Sequence, residues 1–246
     1  MGEVIAFVSG KGGTGKTSVC AGVAAALTQE GKRVLAIDCD VGLRNLDISL
    51  GMSECGSLSF LDISEGGYPL EMTAKHPVHP DLHFLTAPLN RSADKISVDA
   101  FCEMLQRAKR EYDYILLDAP AGVDAGFQLV AAAAQRFLLV TGSGPAAIRD
   151  AARVGDILEL MGKKDVRLVV NRVDRQMLHA VKQTIDDVMD DAGLPLIGIV
   201  PEDPNVVLAA TFGKTVLQYD KRCPAAKAYH RISRRIQGFY CPVMRK

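Results

Sequence analysis

The chain has 246 residues, 48% of them apolar, enough to fill one large α/β core. With no apolar run of 18 residues and no charged-then-apolar leader ending in a cleavage site, a soluble protein made without export, and hence a cytoplasmic one, is expected. The 29 basic and 29 acidic side chains cancel overall but not locally: residues 221 to 246 hold eight Lys or Arg and no acid, leaving the first 220 with 21 basic and 29 acidic groups, a formal net of −8. An acidic body argues against DNA as a partner, whereas the basic end suits anionic lipid, an acidic protein patch or nucleic acid.

The first predicted strand, 3 to 8, is followed by Gly10-Lys11-Gly12-Gly13-Thr14-Gly15-Lys16-Thr17, a complete G-x-x-x-x-G-K-T loop. The alanine-rich stretch after it reads as a helix over 16 to 30, closed by Gly31. Glycines at 10, 12, 13 and 15 let the chain curl, so that the N–H groups from Gly12 through Ser18 can face phosphate oxygens at the positive end of the helix. Lys16 then reaches the β and γ phosphates, and the Thr17 hydroxyl is offered to Mg²⁺. Lys11 is a second lysine in the loop, with little to gain from phosphates that Lys16, Mg²⁺ and the amides already neutralise. Two copies facing each other would let each Lys11 contact the other's nucleotide, for about 4 kcal/mol of raw Coulomb energy at about 4 Å. A solvated lysine beside the loop is the alternative.

The strand at 33 to 38 runs into Asp38-Cys39-Asp40, and in an extended chain residues i and i+2 face one side. Both carboxylates are therefore candidates for orienting a water that attacks phosphate, with strand-end capping as the alternative. Residues 64 to 81, with Gly66-Gly67, three prolines and two histidines, read as an irregular surface connection. Strands follow at 82 to 86 and 112 to 118, around a helix at 97 to 110. The second of these ends in Asp118, before Ala119-Pro120-Ala121-Gly122, as expected for an outer Mg²⁺ ligand near a phosphate loop.

Helices at 124 to 134, 145 to 161 and 175 to 191 alternate with strands at 136 to 141, 166 to 171 and 195 to 200. Two more helices are predicted at 204 to 212 and 224 to 237. The sixth strand ends at Asn171, whose amide suits a purine edge or a simple turn. The seventh leads into Pro201-Glu202-Asp203. This alternation implies a parallel sheet covered by helices on both faces, with the ligand at the carboxyl ends of the strands. One domain over 1 to 238 is expected, with a short basic and aromatic tail at 239 to 246. The six cysteines form no C-x-x-C pair, and the five histidines lack metal or triad spacing.

These motifs together resemble the deviant Walker A ATPases, the MinD/ParA family. The loop from Lys11 to Thr17 is common to the family, and Gly42-Leu43-Arg44-Asn45-Leu46-Asp47 is similar to its division-site branch. Asp118-Ala119-Pro120-Ala121-Gly122, Ile199-Val200-Pro201-Glu202-Asp203 and Ala226-Lys227-Ala228-Tyr229 extend the likeness over nearly the whole chain.

The resemblance implies a P-loop NTPase with a mainly parallel seven- or eight-stranded sheet that hydrolyses ATP to ADP and phosphate with Mg²⁺, slowly unless a partner stimulates it. It implies an ATP-bound homodimer in which Lys11 reaches across the interface and Lys16 and Thr17 sit at phosphate and Mg²⁺. Asp40 would stand at the attacking water with Asp38 nearby, Asp118 would meet Mg²⁺ through water, and Asn171, near adenine, would share the nucleotide site with Pro201. Ala147-Ile148-Arg149-Asp150 resembles the stretch where regulatory proteins of the MinC and MinE kind bind. The role implied is division-site placement at the membrane, with ParA-like DNA partition or FlhG-like flagellar positioning as alternatives. The division-site branch generally ends in an amphipathic membrane helix. Here Ala225, Ala228, Tyr229, Ile232 and Ile236 form a core-facing stripe, and Pro242 interrupts any helix beyond Gly238. The tail's two aromatics and terminal cations suit a peripheral contact with the inner face of the cell membrane.

Overall fold

In the computed structural model, which describes residues 1–89, 91–174, 176 and 184–242, eight strands form one sheet in the order β3-β4-β2-β5-β1-β6-β7-β8. They are β1 (Glu3–Val8), β2 (Val34–Asp38), β3 (Ala74–Lys75), β4 (Leu82–Leu85), β5 (Tyr114–Asp118), β6 (Arg136–Thr141), β7 (Asp165–Val173) and β8 (Leu196–Pro201). All neighbours pair in parallel except β3, which runs antiparallel to β4 at the edge. The seven strands expected from sequence are all present. β3 lies inside the 64 to 81 connection, where two ladder residues among prolines leave no periodicity to read.

The central strands are buried on both faces, which explains their uniform apolarity. On one face pack α1 (Lys16–Gln29), α2 (Leu46–Leu50), α8 (Pro204–Thr211), α9 (Val216–Tyr219) and α10 (Pro224–Ile236), around Phe7, Phe84 and Tyr229. On the other lie α3 (Phe60–Ser64), α4 (Val98–Ala108), α5 (Ala125–Ala133), α6 (Pro145–Leu160) and α7 (Ile185–Ala192), around Phe60, Phe101, Phe127 and Phe137. The helix expected from 175 to 191 corresponds to α7, and most of its first half lies outside the described residues, as do the last four residues of the tail.

The helix after the phosphate loop is held tightly to the last one. Gly22 of α1 has no room for a side chain, because a Cβ there would run into the ring of Tyr229 of α10, itself 1% exposed. At the end of α1, Glu30 accepts hydrogen bonds from Ser233 at 3.0 Å and from Gln237, both on or next to α10. The phosphate loop therefore leads into a helix fixed along its whole length.

Candidate active site

The loop leaves β1 at the middle of the sheet, where successive crossovers diverge to either side and the carboxyl ends of the strands open a crevice. Gly13 and Gly15 turn through φ values of +79° and +81°, conformations that glycine alone adopts without strain. No side chain caps the start of α1, so its first amides have no protein acceptor. A Cβ at Gly12 or Gly13 would meet nothing within 4 Å, whereas one at Gly15 would strike the Asn171 amide. The mouth of the loop is open, and its base is closed.

Lys16 and Asp118 form the centre of the crevice. Their Nζ and Oδ1 atoms are 2.7 Å apart, with side chains 7% and 2% exposed. Burial alone would depress the Lys16 pKa, but the charge and hydrogen bond of Asp118 more than offset it and hold it above the ordinary value. Asp118 thus favours the charged form of Lys16 in spite of its burial.

Asp38 stands in register with Asp118 on the neighbouring strand. Its carboxylate accepts the backbone N–H groups of Asp40 at 2.9 Å, Asn45 at 3.0 Å and Leu46 at 3.1 Å. Burial, then the proximity of Asp118, push its pKa up to about 6 despite these bonds. β2 ends at Asp38, so the two carboxylates separate: Asp38 organises the loop from 40 to 46, while the half-buried Asp40 lies beyond the strand. Burial raises the pKa of Asp40 against the pull of Lys16.

Asn171 is buried on β7, and its Nδ2 donates to the carbonyl of Thr14 at 2.8 Å, bracing the phosphate loop from beneath. Pro201, at the end of β8, is opposite Val173 on the neighbouring strand. Lys11 lies 3.8 Å from Asp150 of α6, with both side chains more than two-fifths exposed. The same aspartate fits against Gly10, where a Cβ would come within 2.7 Å of it. Asp150 is therefore adjacent to the loop, with the exposed Arg149 next to it in α6.

Three contacts lie beyond what the sequence predicts. Asp150 against Gly10 and Asn171 on Thr14 join residues far apart in the chain, with no local signal. Arg44, at φ +33°, donates from Nε to Thr86 Oγ1 at 2.6 Å and so anchors the loop after β2 to the end of β4. Its left-handed backbone sits between Gly42 and Asn45, a composition that hints at a turn but not at its anchor.

The residues present fit a nucleoside triphosphate with Mg²⁺. The Thr14 hydroxyl is buried with no hydrogen-bond partner at a loop whose amides are uncapped, which is an acceptor-hungry cradle. No group of three or more His, Cys, Asp or Glu gathers as a metal cage among the described residues. Mg²⁺ is commonly held by few protein ligands together with phosphates and water. Thr17 and Asp118 are the donors available.

Such a sheet, with this loop at its centre and a buried lysine–aspartate pair behind it, defines a P-loop nucleotide-binding ATPase fold. Residues 5–216 match the CobQ/CobB/MinD/ParA nucleotide binding domain. The septum site-determining protein MinD of a Synechocystis species is 35% identical over 99% of this chain and 92% of its own length. A chain of the MinC:MinD cell division protein complex of Aquifex aeolicus superposes with a TM-score of 0.91 at 36% identity, over 99% of this chain and 98% of that one. MinD of Pyrococcus horikoshii, complexed with Mg-ADP, gives 0.83 at 26% identity over 96% of both chains. This chain belongs to the MinD family of septum site-determining ATPases.

Proposed function

We propose that the protein is an ATP-gated dimerising switch that hydrolyses ATP to govern division-site placement. The observation that carries this reading is the buried, charged Lys16 behind an uncapped glycine loop, joined by a second lysine at the loop's open mouth. The Mg-ADP complex of the Pyrococcus relative supports ATP and Mg²⁺ as the ligands.

In this reading the amides from Gly12 to Ser18, with Lys16, cradle the β and γ phosphates. Thr17 and Asp118 are the residues that would hold Mg²⁺, and Lys16, now paired with Asp118, would turn to phosphate. When bound, Mg²⁺ neutralises phosphate charge. Asp40 orients the attacking water, and Asp38 fixes Asp40 through the loop it caps. Asn171 and Pro201 border the base. Lys11 leaves Asp150 and reaches the phosphates of a second copy, so that occupancy is reported as dimerisation.

The MinC:MinD complex of the Aquifex relative supports a MinC-like partner, and Arg149 and Asp150, beside the loop, are the surface proposed for it. The tail after Gly238, with Phe239 and Tyr240 exposed, is the proposed contact with an anionic membrane.

Sedimentation velocity with ATP and with ADP tests the switch: dimer with ATP and monomer with ADP is expected. Asp40→Ala should slow hydrolysis about 100-fold or more, since only positioning is lost, and leave a dimer that persists with ATP. Turnover at the wild-type rate by that variant would remove Asp40 from the mechanism.

A further inference from the structure

The end of the sheet opposite the phosphate loop is basic, and two exposed aromatic residues project near it. Helices that cross between parallel strands return to the strand starts, so the joints from helix to strand gather at that end. Lys32 and Arg33 stand just before β2, Lys109 and Arg110 shortly before β5, and all four line one hollow of about 420 Å³. Among the described residues none of the four has a carboxylate within ion-pair distance. The acids lining the hollow are engaged elsewhere: Glu3 pairs with Arg136 at 3.1 Å, and Asp113 accepts the backbone N–H of Arg33 at 2.8 Å. Glu30, Asp81 and Glu111 also lie at these joints, Glu30 being taken up by Ser233 and Gln237 of the last helix region.

A second hollow of about 360 Å³ adjoins the first across the Glu3–Arg136 pair; Arg167 and Arg235 line it together with Asp165, which pairs with Arg136 at 2.7 Å and Arg167 at 2.9 Å. Here α10 ends and the tail begins. Arg235 donates to the carbonyls of Ile197 and Cys241, each at 2.8 Å, which ties the tail to the start of β8. The Arg234 guanidinium lies 4.9 Å from the centre of the Phe239 ring, and Phe239 and Tyr240 are 52% and 93% exposed. The free cations and the exposed rings therefore belong to one continuous surface.

We propose that this basal surface of the folded body, and not the tail alone, docks on an anionic bilayer. Lys32, Arg33, Lys109 and Arg110 meet lipid phosphates while Phe239 and Tyr240 enter the headgroup region. The inference rests on the membrane reading above and adds a second, electrostatic anchor to it. One weak anchor gives only marginal, reversible binding, and stable attachment takes two signals. Duplex nucleic acid would satisfy the cations but, with its bases already stacked, not the exposed rings beside them, which favour a medium wet on one side and apolar on the other.

Co-sedimentation with phosphatidylcholine vesicles, with and without phosphatidylserine and in the presence of a slowly hydrolysed ATP analogue, tests this. The wild type should pellet only with the anionic vesicles. Each cation removed should weaken partition about fivefold, so Lys32→Gln with Arg110→Gln should lose about 25-fold, while hydrolysis without vesicles stays unchanged. Arg33→Gln with Lys109→Gln is an independent pair that should behave alike. If the wild type pellets and both pairs pellet equally well, the body takes no part and the proposal falls while the tail reading stands. If the wild type fails to pellet at all, the membrane reading falls with it. Loss of duplex DNA binding in the same variants, without loss of vesicle binding, would also overturn the proposal.

Discussion

Lys16 and Asp118 form a buried ion pair, 2.7 Å apart, whose opposite charges compensate each other. Breaking a buried pair by removing one partner typically costs about 3 to 5 kcal/mol, because an uncompensated charge is left behind. Asp118→Asn should therefore lower the thermal midpoint of the nucleotide-free protein, by about 2 to 4 °C per kcal/mol at this chain length. Added ATP should recover part of the loss by giving Lys16 a new anion. Calorimetry with and without nucleotide would check both, and an unchanged midpoint would show that the pair is not under this tension.

Asp38 carries a pH signature of the opposite kind. Its folded-state pKa is raised to about 6 from an ordinary 3.8, so the folded protein prefers it protonated. The stability it contributes is full below pH 3.8 and is lost as pH rises to about 6. A shift of about two units corresponds to roughly 3 kcal/mol. The stability of the nucleotide-free wild type relative to Asp38→Asn should fall by about that amount across this window. Denaturant unfolding of both proteins on either side of it gives the difference directly, and a constant difference would show that Asp38 titrates alike in the folded and unfolded chains.

At the scale of elements, the packing of α1 on α10 makes the phosphate loop's helix intolerant of change far from the nucleotide. Gly22→Val would force the buried Tyr229 ring aside, and overpacking of this kind costs about 1 to 3 kcal/mol. A Gly22→Val protein with an unaltered unfolding midpoint would mean that the two helices slide freely. The strand, loop and helix from Glu3 to Gln29 are legible in the sequence because every determinant is local: an apolar run, a fixed glycine spacing and an alanine-rich stretch. Short helices escape such a reading, although two carry signals. α3 starts at Ser59 with Asp62 three residues on, and α9 at Thr215 with Gln218, both capping boxes. α2 has no such signal, since the carboxylate that receives its first amides is Asp38, eight residues before Leu46. The site is legible to the same depth. Lys16, Asp118 and Asp38 follow from the glycine loop and the strand ends, whereas the bracing of Thr14 by Asn171 crosses 157 residues and is fixed only by the order of the strands.

At the scale of the molecule, the two ends of the parallel sheet have different chemistry. The carboxyl ends gather glycine amides, Lys16 and the three aspartates at 38, 40 and 118, and the opposite end gathers cations and the tail. No helix among the described residues is long and apolar enough to cross a membrane.

The proposed switch depends above all on the second lysine of the loop working across a pair of subunits. Among the described residues its ion-pair partner is the half-exposed Asp150 at 3.8 Å, a contact worth about 1 kcal/mol or less. Lys11→Ala should therefore leave the monomer's stability nearly unchanged and should still bind ATP. Sedimentation equilibrium in ATP and Mg²⁺, with hydrolysis measured on the same samples, separates the two possibilities. A wild-type dimer that turns over, beside a Lys11→Ala monomer that binds nucleotide without hydrolysing it, is the expected result. A Lys11→Ala protein that dimerises with ATP and hydrolyses it at the wild-type rate would mean that Lys11 has no role across the interface.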